Sequence, residues 1–523
     1  MPVVAENRVA EFVERIRATY SSEAEARRLT ELYRQAEPES TSLLERASAF
    51  VRERIGRTGS GDEGPPHVPQ EVSADDDPDP LFNFTPLPGR ARESYAYKPV
   101  SGRILYLLNN SRPYHNGGYA IRAHGIIKAL QQQGIDVIPV LRPGYPADNF
   151  KDVRADNIVD VDGVSYRFLL QDANRYEMRR DQYAKIYEAE LLKLVRKLRP
   201  AVLHAASFHF NAHAALKVRE KFGTPVIYEV RGLSLLVDMS IGRGTDKRHP
   251  KMLPSWSRLL EFHEEVEVAK AADHLLCITG AMASLFQSLG VPAERCSLLL
   301  NAAEGKIVEA VRGPRRKSSS GTAGSGKTIG YFGSIQFYEG LDDLCSAIEI
   351  LAEERPDLNV KALIIGDGRY EVTLKNRIES SPHRDHIQFH GRVSHEQIER
   401  YFEECDAMVY PRKSFPVTEF VSPLKPLEPM ALGIPVISSD VAALKEIVLD
   451  GKTGFTFKAG VPRELAKTIA SVLTDEAATA TVVENARSYV QRERTWLRTT
   501  ELLPQLYRRL ETQKRVRRRW LPI

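Results

Sequence analysis

VYPRKSFPVTEFVSPLKPLEPMALGIPVISSDVAALKEIVLDGKTGFTF, residues Val409–Phe457, is the stretch whose reading decides the fold. An apolar run closes at Tyr410, and a loop carrying Arg412 and Lys413 follows. The acid Glu419, a Ser422-Pro423 turn and a short helical segment come next. That segment holds Lys425 and Glu428 and stops at Gly433, after which Pro435 opens the strand PVISS. A strand–loop–helix–strand unit of this kind gathers cations, backbone donors and carboxylates at one helix N-terminus. Unpaired N–H groups and the positive dipole end suit an anion such as a diphosphate there. Lys425 and Glu428 are three residues apart and share a helical face, so one can meet a phosphate while the other accepts from ribose hydroxyls. Pro426 suits the first helical position, whereas Pro429 removes a backbone bond. The stretch reads as a sugar-nucleotide site. The plainer reading is an ordinary βαβ connection with surface charge.

Working outward, 523 residues with 42% hydrophobic side chains suffice for two large domains plus extras. The 73 basic and 69 acidic residues leave a net charge of +4, which marks no nucleic-acid binder. No run approaches the roughly eighteen apolar residues of a transmembrane helix. The start, MPVVAENRVAEFVERI, carries acids where a signal peptide needs a basic end and an apolar centre. Cys277, Cys296, Cys345 and Cys405 form no CxxC pair and read as reduced, mostly buried thiols of a cytoplasmic protein. No His/Cys spacing supplies a zinc site, so no metal is expected.

Residues 1–55 show apolar stripes at helical spacing and are expected to be a helical appendage. Residues 56–95, rich in Gly, Pro and Asp, read as a disordered or extended linker. Residues 96–310 then alternate strand and helix, beginning with the buried run ILYLLNN and the loop SRPYHNGGYA. Gly117 and Gly118 stand where a phosphate or sugar needs close backbone approach, or where a plain tight turn needs glycine. His204, Ser207, Glu229 and Arg231 fall at carboxyl ends of strands, the ligand side of an open α/β sheet. The loop Leu233 to His249 is long and basic, which suits an acceptor-binding lid. Residues 311–328 read as an interdomain linker. Within them Gly321 to Thr328, GTAGSGKT, matches the P-loop pattern, but a strand rather than a helix follows, so the match is a decoy. Residues 329–490 alternate again and specify a second parallel, doubly wound sheet. Gly366, Gly368 and Gly391 stand at its strand ends, where a base and ribose can approach the backbone. Residues 491–523 read as a helix returning toward the first domain with a basic tail.

The segments YFGSIQFYEGLDDL, LIIGDG, FHGRVSHEQI, TEFVSPLKPLEPMALGIPVISSD and IVLDGKTGF, in this order, resemble the C-terminal half of family 4 retaining glycosyltransferases. NGGYA, VIYEVRG and SLLLNAAE resemble the N-terminal half more loosely. The resemblance implies an α/β chain of GT-B architecture, two Rossmann-like domains facing a cleft, with the N-terminal helical appendage outside it. It implies a metal-independent hexosyltransferase that takes a sugar from a nucleotide-diphosphate sugar with retention, in bacterial glycoconjugate or polysaccharide synthesis. The acceptor would be a glycan, a lipid-linked sugar or a protein.

By this resemblance Glu428 is the second glutamate of the family's E-x7-E motif and holds the donor ribose. The first falls at Phe420; either the loop bulges to bring Glu419 into place or backbone amides of residues 420–423 take over. The family's phosphate-gripping Arg and Lys correspond to Ser334 and roughly Glu339, leaving Arg412 and Lys425 as substitutes. The family's strand-end histidine aligns with Arg231. The implied catalytic set is Arg412, Lys425, Glu419 and Arg231. The implied donor-binding set is Gly117, Gly118, Gly333, Ser334, Gly366, Gly368, Gly391, Val393, Ser422, Leu424 and Glu428. No cofactor beyond the donor and no nucleic acid is implied. The basic C-terminus, Arg508 to Trp520, suits peripheral contact with the inner face of an anionic membrane or a solvated helix end. The N-terminal helices suit a protein partner or self-association. The rival readings are a catalytically quiet GT-B binding or scaffold module and a P-loop NTPase.

Overall fold

A computed structural model describes residues 97–151, 153–170, 172–241, 256–304, 326–393 and 395–519. The expected helical appendage, the 56–95 linker and most of the 311–328 linker lie outside the described residues.

Two sheets form the two lobes. In the first, β1 (Arg103–Leu108), β2 (Asp136–Leu141), β3 (Ile158–Val161), β4 (Val164–Phe168), β5 (Val202–Ala206), β6 (Val226–Val230), β7 (His274–Cys277) and β8 (Cys296–Leu298) lie in the order β3-β4-β2-β1-β5-β6-β7-β8. All pairs are parallel except β3 with β4. That hairpin turns through Asp162 and Gly163, both with left-handed φ. The alternating run IVDVDGVSYRF around an Asp-Gly pair is its sequence signal. In the second sheet, β9 (Lys327–Phe332), β10 (Val360–Ile365), β11 (Ile387–Gly391), β12 (Ala407–Tyr410), β13 (Val436–Ser439) and β14 (Phe455–Phe457) are all parallel, in the order β11-β10-β9-β12-β13-β14.

Continuous apolar runs become strands here because helices cover both sheet faces. In β1, Leu105 and Leu107 enter one core cluster while Ile104, Tyr106 and Leu108 enter another, the period of two that a pleat imposes. The C-terminal helix Leu502–Arg519 closes the second of these faces with Leu503, Leu506, Tyr507 and Leu510. Beside it, a Cβ on Gly125 would lie 2.3 Å from the indole nitrogen of Trp496, so glycine is required for that helix crossing. Among the described residues no helix is long and apolar enough to cross a membrane.

Lys327 and Thr328 open strand β9, and the Lys327 ammonium lies 3.5 Å from Asp406. The last two residues of the P-loop match are thus edge-of-strand residues, not phosphate ligands at a helix start. The expected lid begins instead as the helix Ser234–Ile241, with Leu235 and Leu236 buried. Residues 242–249 lie outside the described residues.

Candidate functional site

The chain fills one side of each sheet before crossing to the other, and the crossing points lie between β1 and β5 and between β9 and β12. Open α/β sheets bind ligands in the crevice outside the carboxyl ends of the strands at such a crossing point, where successive loops diverge. In the second lobe the crevice is formed by the Gly333-Ser334 turn after β9 and by the Arg412 loop after β12.

Glu339 is the centre of this crevice, although it stands where the resemblance calls for a cation. It is buried, 1% exposed, and accepts from Arg412 at 3.1 and 3.2 Å and from the Lys425 ammonium at 3.0 Å. Burial alone would raise the Glu339 carboxyl, but Arg412 and Lys425 outweigh it and hold it at about 2. The third Arg412 nitrogen donates to the Val421 carbonyl at 3.0 Å. Arg412 therefore does not present a fork to a diphosphate. Its guanidinium already faces a carboxylate and a carbonyl and serves to anchor the loop.

Lys425 differs. Its ammonium donates to the Tyr331 hydroxyl at 2.7 Å, approaches Glu339, and lies 3.5 Å from the Ser334 hydroxyl. Two of its three N–H donors have short partners, and the third points at a contact too long to be strong. Its stem crosses Gly333, where a Cβ would meet the Lys425 Cε at 2.4 Å. The side chain keeps 19% exposure, and burial, with the neighbouring Arg412, lowers its pKa to about 8 despite Glu339. The cation missing from the β9 loop is thus delivered to that loop from the other side of the crevice.

Lys425 precedes the helix Leu427–Leu432 rather than lying within it, so Lys425 and Glu428 do not share a helical face. Pro426 is the N-cap, and Pro429 falls in the first turn, where its missing N–H costs no intrahelical bond. The helix offers few amides to an anion: Pro426 and Pro429 have none, and Leu427 already donates to Leu424 at 3.2 Å. Glu428 has no hydrogen-bond or ion-pair partner among the described residues. Burial, reinforced by Glu304 and Glu399, raises its pKa to about 7.

The first lobe brings its own helix start to this place. The helix Gly118–Gln132 begins at the N-cap Gly117 with no side-chain cap and no acid in its first turn, and Gly117 and Gly118 are exposed. A Cβ on Gly118 would sit 3.6 Å from Leu424 of the second lobe, whose side chain packs on the first lobe's core. The candidate loops of the two lobes therefore lie side by side, with room for no more than a methyl group between Gly118 and Leu424. Behind them Glu229, fully buried, accepts from Arg122 and Arg231 at 2.8 Å each and from Tyr106 at 2.5 Å. Arg122 also donates to Asn301 at 2.8 Å, and Asn301 donates across the lobes to the Ser422 carbonyl at 2.8 Å.

Two family models match the chain: Glycosyl transferases group 1 over residues 314–489 and Glycosyl transferase 4-like domain over residues 117–302. The chain is a GT-B glycosyltransferase of the family 4-like type. It is 23% identical to the glycogen synthase of Mycobacterium tuberculosis over 435 residues, 80% of this chain and 98% of that one. It is 22% identical to the D-inositol 3-phosphate glycosyltransferase of Arthrobacter sp., over 46% of this chain and 55% of that one. In fold it is similar to Anabaena Alr3699/HepE, solved in complex with UDP, at a TM-score of 0.57, 16% identity, 78% of this chain and all of that one. It is also similar to the sucrose-phosphate synthase of Thermosynechococcus elongatus, at a TM-score of 0.58, 17% identity, and 79% and 100% coverage.

Several residues expected at the site of this glycosyltransferase are placed elsewhere. Glu419 is fully buried; one oxygen accepts from Ser414 at 2.6 Å and the other from the Ala442 amide at 2.7 Å, so it fastens the start of the helix Ala442–Lys445. Phe420 and Val417, on the helix Pro416–Phe420, insert into the first lobe's core. Thr279 of that lobe donates to the Phe420 carbonyl at 2.7 Å. This helix is an interlobe anchor, which is why no carboxylate from it reaches the donor crevice. Arg231 is 5% exposed and held by Glu229, Tyr106 and the Tyr119 carbonyl, which makes it a strut rather than a group facing substrate. His204 lies inside β5, fully buried, with Tyr507 at 2.9 Å. Ser207 bonds the backbone of Glu229 and Arg231.

At Gly366 and Gly368 the backbone of the β9 loop fills the space expected for a nucleotide: a Cβ would meet the Gly333 carbonyl oxygen at 1.7 Å and the Ile335 one at 2.1 Å. Those glycines let two loops touch. Gly391, with φ of 65° and nothing within 4 Å of its Cβ position, keeps an open face, and Val393 beside it is half-buried against the core. Sequence reasoning missed the positive role of Glu339 and any role for Arg122 and Asn301. An acid at an expected lysine position together with a lysine on the facing loop was the signal for Glu339. Arg122 and Asn301 gave none.

Proposed function

We propose that this glycosyltransferase moves a sugar from a nucleoside-diphosphate sugar to an acceptor hydroxyl with retention of anomeric configuration. The observation that carries the reading is the pairing of Lys425 with Glu428. One is a cation at the crevice mouth whose third donor has only a long contact, 3.5 Å to Ser334; the other is a carboxylate without a hydrogen-bond or ion-pair partner among the described residues, three positions further along the chain. In this reading the diphosphate meets Lys425, the Gly333-Ser334 turn and the amides at the start of the helix Gly118–Gln132. Glu428 accepts from the ribose hydroxyls, and the base lies along Gly391 and Val393.

As the sugar–phosphate bond breaks, charge builds on the leaving diphosphate. A preplaced ammonium and a helix start stabilise it without reorganising. The acceptor hydroxyl attacks from the leaving-group face and passes its proton to the departing phosphate oxygen, so no pair of acting carboxylates is required. Metal independence belongs to the same proposal, since Lys425 and the start of the helix Gly118–Gln132 supply the positive charge. The acceptor is a glycan, a lipid-linked sugar or a protein, in glycoconjugate or polysaccharide synthesis.

A panel of nucleotide sugars tests this by donor hydrolysis and by thermal stabilisation. At least one should be turned over, with activity unchanged by a chelator and the product anomer matching the donor. Hydrolysis or stabilisation by none would refute it. One observation favours a second reading, a binding module without turnover: Phe420 occupies the motif's first glutamate position and is sunk in the other lobe. Under that reading a nucleotide binds but no sugar is released.

A further inference from the structure

The first lobe has its own crossing point, between β1 and β5, and the crevice there is lined by different chemistry. Asn109 directly follows β1, and Phe208 lies two residues beyond β5. Arg175 reaches into this place. Its guanidinium carbon stands 4.5 Å from the Tyr176 ring, 5.2 Å from Phe210 and 6.0 Å from Phe208. It donates to the Asn109 side-chain oxygen at 3.1 Å and to the Tyr176 hydroxyl at 2.5 Å. Its Nε is buried with no hydrogen-bond partner. Three of five N–H donors are therefore unengaged among the described residues.

The charge is unbalanced as well. Asn109 also accepts from Arg142 at 2.9 Å, but Arg142 has the Asp148 carboxylate at 2.5 Å. No carboxylate among the described residues pairs with Arg175. A guanidinium set among aromatic rings, without an anion and with a buried unsatisfied N–H, is costly unless something supplies the missing oxygens. Burial and the neighbouring Arg142 lower its pKa, in keeping with an uncompensated site. The place adjoins the donor-side loop: Phe208 lies 6.1 Å from the Tyr119 ring, and Tyr119 follows Gly118 in the first turn of the helix Gly118–Gln132.

We propose that Arg175 receives an oxyanion, a phosphate or a carboxylate, carried by the acceptor, so that the acceptor is an acidic rather than a neutral molecule. This inference rests on the transferase reading for the word acceptor, but not for the anion site itself. A planar fork of unengaged N–H groups matches two oxygens of either anion. Phe208 and Phe210 cover part of the guanidinium, while the exposed Tyr176 leaves the place open to an entering ligand.

The test separates the two claims. Inorganic phosphate and acetate are titrated calorimetrically into the Lys425→Ala protein, which lacks the donor-side cation, and into the Lys425→Ala, Arg175→Gln double variant. Saturable binding to the first that weakens about tenfold or more in the second supports the site. Preference for phosphate or for acetate names the source of the anion. Equal binding to both proteins, or none to either, overturns it. Arg175→Lys keeps the charge without the fork and should recover part of the affinity, which separates loss of the site from misfolding. With a working donor, glycerol, glycerol 3-phosphate and glycerate are then compared as acceptors. The acidic ones should show the lower KM in the wild type, and Arg175→Gln should raise that KM while donor KM stays level. If no donor is hydrolysed, the transferase reading fails while the titration still decides the anion site.

Discussion

Each lobe buries a glutamate between two cations, and the two clusters behave differently. In the first lobe Glu229 lies between Arg122 and Arg231, with side chains 0%, 3% and 4% exposed. In the second, Glu339 lies between Arg412 and Lys425, with side chains 2%, 9% and 19% exposed. The charge arithmetic is the same, one negative against two positive. The first cluster is sealed from solvent and held by Tyr106 and Asn301, with only the buried Arg231 Nε lacking a partner, and Arg231 cannot lose its proton. The second ends in a part-exposed lysine with a pKa of about 8, whose third donor has only a 3.5 Å contact to Ser334. The same charge arithmetic thus makes a strut in one lobe and the proposed donor site in the other. Access and the choice of lysine over arginine make the difference.

The largest effect should come from removing the glutamates. Glu229→Gln leaves two guanidiniums buried side by side and should cost about 3–5 kcal/mol, read as a lower denaturant midpoint. Glu339→Gln should cost less, about 1–3 kcal/mol, because Lys425 can lose its proton or turn to solvent. Equal losses would erase the distinction between strut and site.

Next comes activity. Lys425→Ala should lower donor turnover about 10²–10³-fold, the scale of losing one preplaced charge at a leaving group. The denaturant midpoint should stay close to wild type, since Arg412 still pairs with Glu339. Arg231→Ala should do the reverse, with a large loss of stability. If it keeps the fold and abolishes turnover, Arg231 belongs to the site after all.

The pH profile sharpens the contrast further. Activity in the proposed reading needs Glu428 ionised and Lys425 protonated, so it should rise through about pH 7 and fall through about pH 8. Glu428→Gln should remove the acid limb and Lys425→Arg the alkaline one. The stability signs run against activity. The folded state holds a proton on Glu428 above the ordinary carboxylate range, so its contribution is lost as pH rises toward 7. Lys425 sheds its proton early in the fold, so stability rises with pH from about 8 toward the ordinary lysine range. Both charges that meet the donor in the proposed reading are ones the fold disfavours, as expected of a site and not of a strut. A flat profile across this window would remove that argument.

The sheets were legible because parallel strands buried on both faces are written as continuous apolar runs, as in ILYLL and ALII. The β3–β4 hairpin was legible too, in its Asp-Gly turn, and was passed over. Lys425 and Glu428 were legible as chemistry, but not as geometry, because two prolines shift the helix start past Lys425. Glu419 and Arg412 could not be sorted from them by residue type. Whether a charge near a strand end faces ligand or a buried partner depends on a residue distant in the chain, Ala442 for the one and Glu339 for the other. Periodicity carries no such information.

The smallest effect concerns the tie between the two clusters. Asn301 accepts from Arg122 at 2.8 Å and donates to the Ser422 carbonyl at 2.8 Å, so the closed cluster of one lobe ends on the loop that positions Lys425 in the other. Asn301→Ala should cost about 1–3 kcal/mol through two unmet groups and raise donor KM a few-fold, about 3–10. Asn301→Asp separates the two ends. It keeps an acceptor for Arg122 but turns a carboxylate toward the Ser422 carbonyl, which repels it. Stability should then recover in part while donor KM stays high. Were both variants to bind donor like the wild type, the first lobe's cluster would support only its own lobe, and the loop carrying Lys425 would be set by Arg412, Glu339, Phe420 and the Tyr410 hydroxyl that donates to the Lys425 carbonyl.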